Sequence, residues 1–352
     1  MGKKYVAYVS TYTMRNDERG LHIFDVDLEN GRMQERGAVE VSNASYVICS
    51  HNQKYLYSVT DNGIASFKIL PDGNLEKLNT APINGMRGCY LSTDIEDKYI
   101  FIAGYHDGKI TVLRLNEDGS VGEVTDEVFH KGLGSVAERS FRPHISCVKM
   151  TRDNKFLCAA DLGIDYVNIY TLDHERGTLR QSDIVRCEIE SAPRHIQFSK
   201  DGKFMYVVCE LKNCIDVYSY YEKNGLPYFD EIQTVSTSEK TSDMGVAACA
   251  VTMSADGKYL LASNAGENTV CMFSADKATG KLTRIFCLPI SGEYPKDVRL
   301  FPDNKHLVSV NHESNTLTFF TVDPAKKTLI MNGKEVKINQ ANCLIFHEIE
   351  GE

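Results

Sequence analysis

Short apolar runs, mostly β-branched or aromatic, recur along this chain between polar turns of one type; residues 21–26, 110–115 and 269–273 are clear examples. Apolar positions spaced for a helix over three turns are nearly absent, so the pattern predicts strands almost throughout. Seven times a turn of the form Asp/Asn-x-Lys-aromatic or apolar leads into such a run. These turns are Gly2-Lys3-Lys4-Tyr5, Asn52-Gln53-Lys54-Tyr55, Glu96-Asp97-Lys98-Tyr99, Asp153-Asn154-Lys155-Phe156, Asp201-Gly202-Lys203-Phe204, Asp256-Gly257-Lys258-Tyr259 and Asp303-Asn304-Lys305-His306. After each come an apolar strand, a polar break and an alternating strand, and most units then reach an acidic or glycine turn such as Pro71-Asp72-Gly73 or Ala278-Thr279-Gly280. Repetition at roughly 40–50 residues with several strands per unit predicts an all-β, seven-bladed β-propeller of four-stranded antiparallel blades. Residues 1–352 then form a single domain, because each blade needs neighbours to bury its faces. The C-terminal strand from Asn342 to Ile349 is expected to join the N-terminal strand in one blade and close the ring. Residues 13–19, 130–141 and 220–244 interrupt the period and are predicted as loops, the last two as functional ones.

Composition narrows the class without naming a chemistry. Apolar residues at 42% and charged residues at 25% are ordinary for a globular chain, and the net charge of −9 argues against nucleic acid or an anionic membrane as partner. No stretch approaches the roughly 20 apolar residues of a membrane span, and the N-terminus enters a strand without the apolar core of a signal peptide. The eleven cysteines are an odd number, set mostly within apolar strands (Cys49, Cys158, Cys209, Cys271), and the chain has no Cys-x-x-Cys. Reduced thiols in a cytoplasmic protein, with no metal site, are the expectation. Nothing in the pattern fixes an oligomeric state.

Ionisable residues gather around blade boundaries in the middle of the chain. Arg142-Pro143-His144 precedes one first strand and Asp161-Leu162-Gly163-Ile164-Asp165 follows it; Pro193-Arg194-His195 and Glu210 repeat the arrangement one blade on. In a propeller these positions surround the central channel. Arginine binds carboxylate or phosphate through its planar fork, and His and Glu move protons near neutral pH, so the set suits a small anionic substrate. His106 and His130 are expected on solvated loops.

Several motifs together resemble the seven-bladed lactonase family of the 6-phosphogluconolactonase type, with more distant likeness to carboxy-muconate cyclases. They are Tyr8-Val9-Ser10-Thr11-Tyr12-Thr13, Ala103-Gly104-Tyr105-His106-Asp107-Gly108, Pro143-His144, Asp161-Leu162-Gly163-Ile164-Asp165, Ala192-Pro193-Arg194-His195 and Ser263-Asn264, spread over essentially the full length. The resemblance implies hydrolysis of a sugar-acid lactone in the central funnel without metal or cofactor, and it carries the family's catalytic His, Arg and Glu onto His144, Arg194 and Glu210. Arg142, His195 and Asp161 from the same cluster, and Lys296 and His312 from a later blade, are the expected substrate-binding set. The chain departs from the family at four places: Ala265 stands where an arginine is usual, Ala250 where a glutamate is, Lys296 replaces an arginine after Pro295, and His312 follows Asn311 in place of a glutamine. These departures keep open an isomerase, cyclase or lyase acting on another carboxylate or sugar acid, and a non-catalytic ligand- or protein-binding propeller.

Overall fold

Each repeat turn sits between the innermost strand of a blade and the second strand, and its side chains explain the conservation of its spelling from blade to blade. Ser254 Oγ donates to Asp256 Oδ1 at 2.7 Å and accepts the amide of Tyr259 at 2.9 Å, while Asp256 Oδ1 accepts the amide of Lys258 at 3.1 Å. Ser199–Asp201–Phe204 and Thr151–Asp153–Phe156 are tied in the same way. The residue before the lysine takes a left-handed conformation in six turns (Gln53, Asp97, Asn154, Gly202, Gly257, Asn304), which Gly and Asn adopt at least cost. The lysines themselves point to solvent, as expected.

The computed structural model describes residues 3–14, 17–134, 141–239 and 245–350. Seven sheets are strung in chain order, each running from the innermost strand outward through antiparallel neighbours. The innermost strands are Ala341–Ile349 (blade 1), Val47–Cys49 (blade 2), Tyr90–Thr93 (blade 3), Ile145–Met150 (blade 4), Pro193–Phe198 (blade 5), Ala247–Met253 (blade 6) and Pro295–Leu300 (blade 7). Blade 1 takes that strand from the C-terminus and its other three from the N-terminus, with Ala7 opposite Phe346 and Val9 opposite Leu344. Closure therefore replaces the first repeat turn, of which Gly2 lies outside the described residues.

Second strands such as Tyr99–Gly104 and Phe204–Cys209 are buried along their whole length, because each is sandwiched between two neighbouring blades. This is why they read as unbroken apolar runs. Outer strands such as Leu226–Ser236 are half exposed and alternate. The acidic/glycine turns do the remaining work between blades. A Cβ at Gly280 of blade 6 would overlap the ring of Phe204 in blade 5; Gly177 nests on Tyr99 and Gly119 on Tyr55 in the same way. The aromatic that ends one repeat motif thus seats on the glycine of the next blade.

Three expectations change. Residues 220–236 are not a loop: Cys214–Lys223 and Leu226–Ser236 form the outer hairpin of blade 5, turned at Asn224 and Gly225, both with positive φ. Only residues 240–244 of that interruption fall outside the described residues, as do 135–140 of the segment after His130 and 15–16 of the first. Cys271 and Cys287, cross-strand neighbours in blade 6, form a disulfide, so the reduced-thiol expectation fails for this pair. His130 is not on a solvated loop: its side chain is 2% exposed and binds Asp161.

The nesting of Gly280 makes a specific prediction. Gly280→Ala combines a strained φ of 71° with steric overlap on Phe204 and should destabilise the protein by about 1–3 kcal/mol in urea denaturation. Gly37→Ala, where a Cβ meets nothing within 4 Å, should stay within about 0.5 kcal/mol of the parent. Equal effects at the two positions would contradict the blade-to-blade contact.

Candidate active site

All seven innermost strands begin at the same mouth of the channel, and most carry an irregularity there that turns one side chain inward. Register shifts fall between Ile145 and Cys147, Pro193 and His195, Ala248 and Val251, and Pro295 and Asp297. The residues left out of register are Ser146, Arg194, Cys249 and Lys296, and Asn342 holds the matching place in blade 1. A bulge re-aims a side chain that regular pleating would press into the neighbouring blade.

These side chains form a collar by reaching from blade to blade. Asn342 Nδ2 donates to the carbonyl of Ala44 at 3.0 Å, Ser45 Oγ to that of Gly88 at 2.9 Å and Ser146 Oγ to that of Pro193 at 3.3 Å. Cys89 Sγ lies 3.5 Å from the carbonyl of Ile145, and Lys296 Nζ donates to Asn342 Oδ1 at 2.6 Å. Blades 5 and 6 break the pattern. Cys249 turns back to its own strand, at 3.5 Å from the carbonyl of Ala247. Arg194 pairs with Glu210, which follows the second strand of its own blade.

That pair is asymmetric. The Glu210 side chain is 2% exposed, whereas that of Arg194 is 25% exposed. A buried carboxylate therefore anchors a guanidinium on a partly exposed side chain. Burial, the largest single influence, would lower the pKa of Arg194, but Glu210 together with Cys249 and Tyr294 pushes it up. Among the described residues, Lys296 has no carboxylate within 4.0 Å: burial first, and then the positive charge of Arg194, holds its ammonium down to about 8. Its Nζ and the guanidinium of Arg87 each stand 4.8 Å from the ring of Tyr12, and Arg87 is held by Asp61 at 3.1 Å. His312 packs edge-on against Tyr12 at 5.6 Å, and its Nδ1–H donates to the carbonyl of Ala341 at 3.0 Å. Burial, reinforced by Lys296, lowers its pKa.

His144 stands one blade from Arg194 at the same mouth. Its Nδ1 is 2.7 Å from the carbonyl of Tyr105, which can only accept, so Nδ1 carries the proton and the lone pair is left on Nε2. Tyr105 stacks on the imidazole at 4.4 Å. Arg142 is exposed at the rim, near the ring of Phe141.

Two expected substrate contacts are corrected by the partners that hold them. Asp161 is 0% exposed, with Oδ1 accepting the amides of His144 at 2.7 Å and Gly163 at 3.0 Å, and Oδ2 bound to His130 at 2.6 Å. It positions His144 and meets no solvent. His195 points the other way from Arg194, as the strand requires. Its Nδ1 accepts the amide of Val251 at 3.3 Å, its Nε2 lies 3.4 Å from Tyr90 Oη, and burial pushes its pKa well down. It is a neutral strut between blades. Ala265 and Ala250 are both buried, so blade 6 offers this mouth no charged side chain at either position.

Arg87 was not anticipated, although Arg87-Gly88-Cys89 precedes the innermost strand of blade 3 as Arg142-Pro143-His144 precedes that of blade 4. Alignment of the blades by their first strands would have found it. Among the described residues, one group has metal-ligand proximity, Cys209, Cys214 and Asp216, and it is buried between the second and third strands of blade 5, behind Glu210.

The comparisons with known proteins agree with this geometry. The family described as "Lactonase, 7-bladed beta-propeller" matches residues 6–346. The 6-phosphogluconolactonase of Bacillus subtilis is 30% identical over 353 residues, covering 98% of this chain and 99% of that protein. A putative 6-phosphogluconolactonase from Bacteroides fragilis superposes with a TM-score of 0.88 at 30% identity, covering 98% of each chain. The periplasmic gluconolactonase of Pseudomonas aeruginosa superposes with a TM-score of 0.91 at 27% identity, covering 99% of this chain and 100% of that one. With the ring, the collar and the full-length match in hand, the chain belongs to the seven-bladed β-propeller lactonase family.

Proposed function

We propose that this protein hydrolyses a sugar-acid lactone bearing an anionic group at the mouth where the innermost strands begin. The observation that supports this most directly is the guanidinium of Arg194, anchored from beneath by buried Glu210 and flanked by Lys296, in a chain of the lactonase family. Opening a lactone requires a base for water, charge stabilisation for the tetrahedral oxyanion and a proton for the departing ring oxygen. His144 Nε2 takes the proton from water as its oxygen bonds to the lactone carbon. Arg194 stabilises the oxyanion, which collapses to break the ring C–O bond, and the imidazolium returns its proton to the ring oxygen. Glu210 orients Arg194. The product is a hydroxy acid whose carboxylic acid group releases one proton to solvent. No step in this scheme calls on a metal. Lys296 binds the substrate's anionic group and stands in for the arginine whose place Ala265 takes.

A second use of the same mouth, isomerisation or elimination on another carboxylate, is favoured only by the apolar lining of blade 6 at Ala250 and Ala265. A panel of sugar lactones followed by acid release separates the two: rates at the spontaneous level for every lactone would favour the second.

Two predictions follow from the allocation of roles. Glu210→Gln leaves Arg194 without its anchor and should lower kcat/KM by about 10²–10³-fold while the far-UV circular dichroism is retained. Activity within about threefold of the parent would remove Glu210, and the orientation it imposes, from the mechanism. The second concerns pH. Lys296 is charged below about 8 and neutral above it, so kcat/KM for an anionic lactone, corrected for spontaneous opening, should fall as pH rises through that value. In Lys296→Arg the side chain stays charged, and this alkaline limb should vanish. Persistence of the limb in that variant would assign it to another group.

A further inference from the structure

A wide cavity lies at the opposite mouth, where the innermost strands end. It holds about 940 Å³ and is lined by the ends of several blades, with Lys149 and Arg152 from blade 4, Lys200 from blade 5 and Arg299 from blade 7 among its walls. The two mouths do not communicate freely. Tyr46 of blade 2 stacks on Tyr90 of blade 3 at 4.2 Å, and Tyr90 meets His195 of blade 5 edge-on at 5.3 Å. His195 is in turn bonded to the backbone of blade 6 at Val251. A row of rings thus crosses the channel between the Arg194 mouth and the wide cavity.

The charge of this cavity is unbalanced. Of the acids near it, Glu348 is bound to Lys3 at 2.8 Å and Asp297 to Arg299 at 3.3 Å. Among the described residues, Lys149, Arg152 and Lys200 have no carboxylate within 4.0 Å; the partner of Lys149 Nζ is the neutral amide oxygen of Gln197, at 3.2 Å. Burial above all, and then the charges of Arg152 and Arg299, holds the Lys149 ammonium down to about 8. In a protein of net charge −9, carboxylates are plentiful, yet among the described residues the acids at this cavity are already paired with Lys3 and Arg299. Cations gathered in a concave site without counter-charges repel one another, and a bound anion relieves that repulsion.

We propose that this wide mouth is a second anion site, distinct from the lactone site, at which Lys149, Arg152 and Arg299 hold the phosphoryl group of a small molecule. A phosphoryl group carries up to two negative charges on three terminal oxygens, enough for contacts from three strand ends at once, and the volume leaves room for an organic body beside it. The proposal is independent of the hydrolytic reaction, since the row of rings separates the two sites.

Inorganic phosphate is the probe, titrated calorimetrically into the full-length protein at neutral pH and low salt, with Lys149→Met and Arg194→Met compared with the parent. Arg194→Met should keep the phosphate-binding step of the parent that Lys149→Met weakens by about tenfold or more, whatever binding at the other mouth it loses. Arg152→Gln, at an exposed turn, should also weaken binding and serves if Lys149→Met fails to fold. No binding to the parent would overturn the proposal. So would unchanged affinity in Lys149→Met or Arg152→Gln, or a loss of that same step in Arg194→Met as large as in the Lys149 variant.

Discussion

Every side chain that can do chemistry in this ring is subject to one constraint: an inner blade strand has no free face. Second strands are covered on both sides by neighbouring blades, and outer strands look away from the axis. Polar groups reach the channel only where an innermost strand begins, bulges or ends. The Arg194–Glu210 pair satisfies this constraint and exploits it. The carboxylate remains in the low-dielectric interior, where an unpaired charge would be costly, and it is tolerated because the guanidinium meets it there. The same contact holds the guanidinium on a side chain that is still partly exposed.

The collar shows what the other blades do with the same position. Ser45, Ser146 and Asn342 spend their side chains on the carbonyls of the next blade and so tie the ring. Arg194 is released from that duty and Lys296 only partly bound to it, through Asn342. Function at this mouth thus depends on which blades give up a tie. Blade 6 gives up its tie without gaining a charge, and Cys249 and Ala265 fill the space. The negative surface implied by the net charge and the cationic lining of both mouths then belong to one design, in which the channel attracts what the outer face repels.

The architecture was legible because the repeat encodes two contacts at once. Ser254-x-Asp256 closes a turn, and the aromatic at its end seats on a glycine of the next blade, so spelling and geometry cannot drift apart. Blade 5 shows the limit: its turn at Gly225 seats on nothing, and its long outer hairpin read as a loop. Site residues were only partly legible. Arg194 and Glu210 meet as the spacing suggests, because they flank the first two strands of one blade. Asp161 and His195 read as substrate contacts and His130 as a solvated loop residue, yet all three are struts tied to neighbouring groups, because which way each points depends on bulges that leave little trace in spelling. Arg87 was hidden by the absence of a proline beside it, although its place in the blade is that of the recognised residues.

The central claim is that the anchored guanidinium of Arg194, with Lys296 beside it, receives an anionic sugar-acid group at the collar mouth. A crystal structure of the protein soaked with gluconate tests this most directly. The account predicts the carboxylate within hydrogen-bonding distance of Arg194, the sugar chain toward His144, and the Arg194–Glu210 pair intact. Gluconate bound elsewhere, or bound at this mouth without touching Arg194, would contradict it.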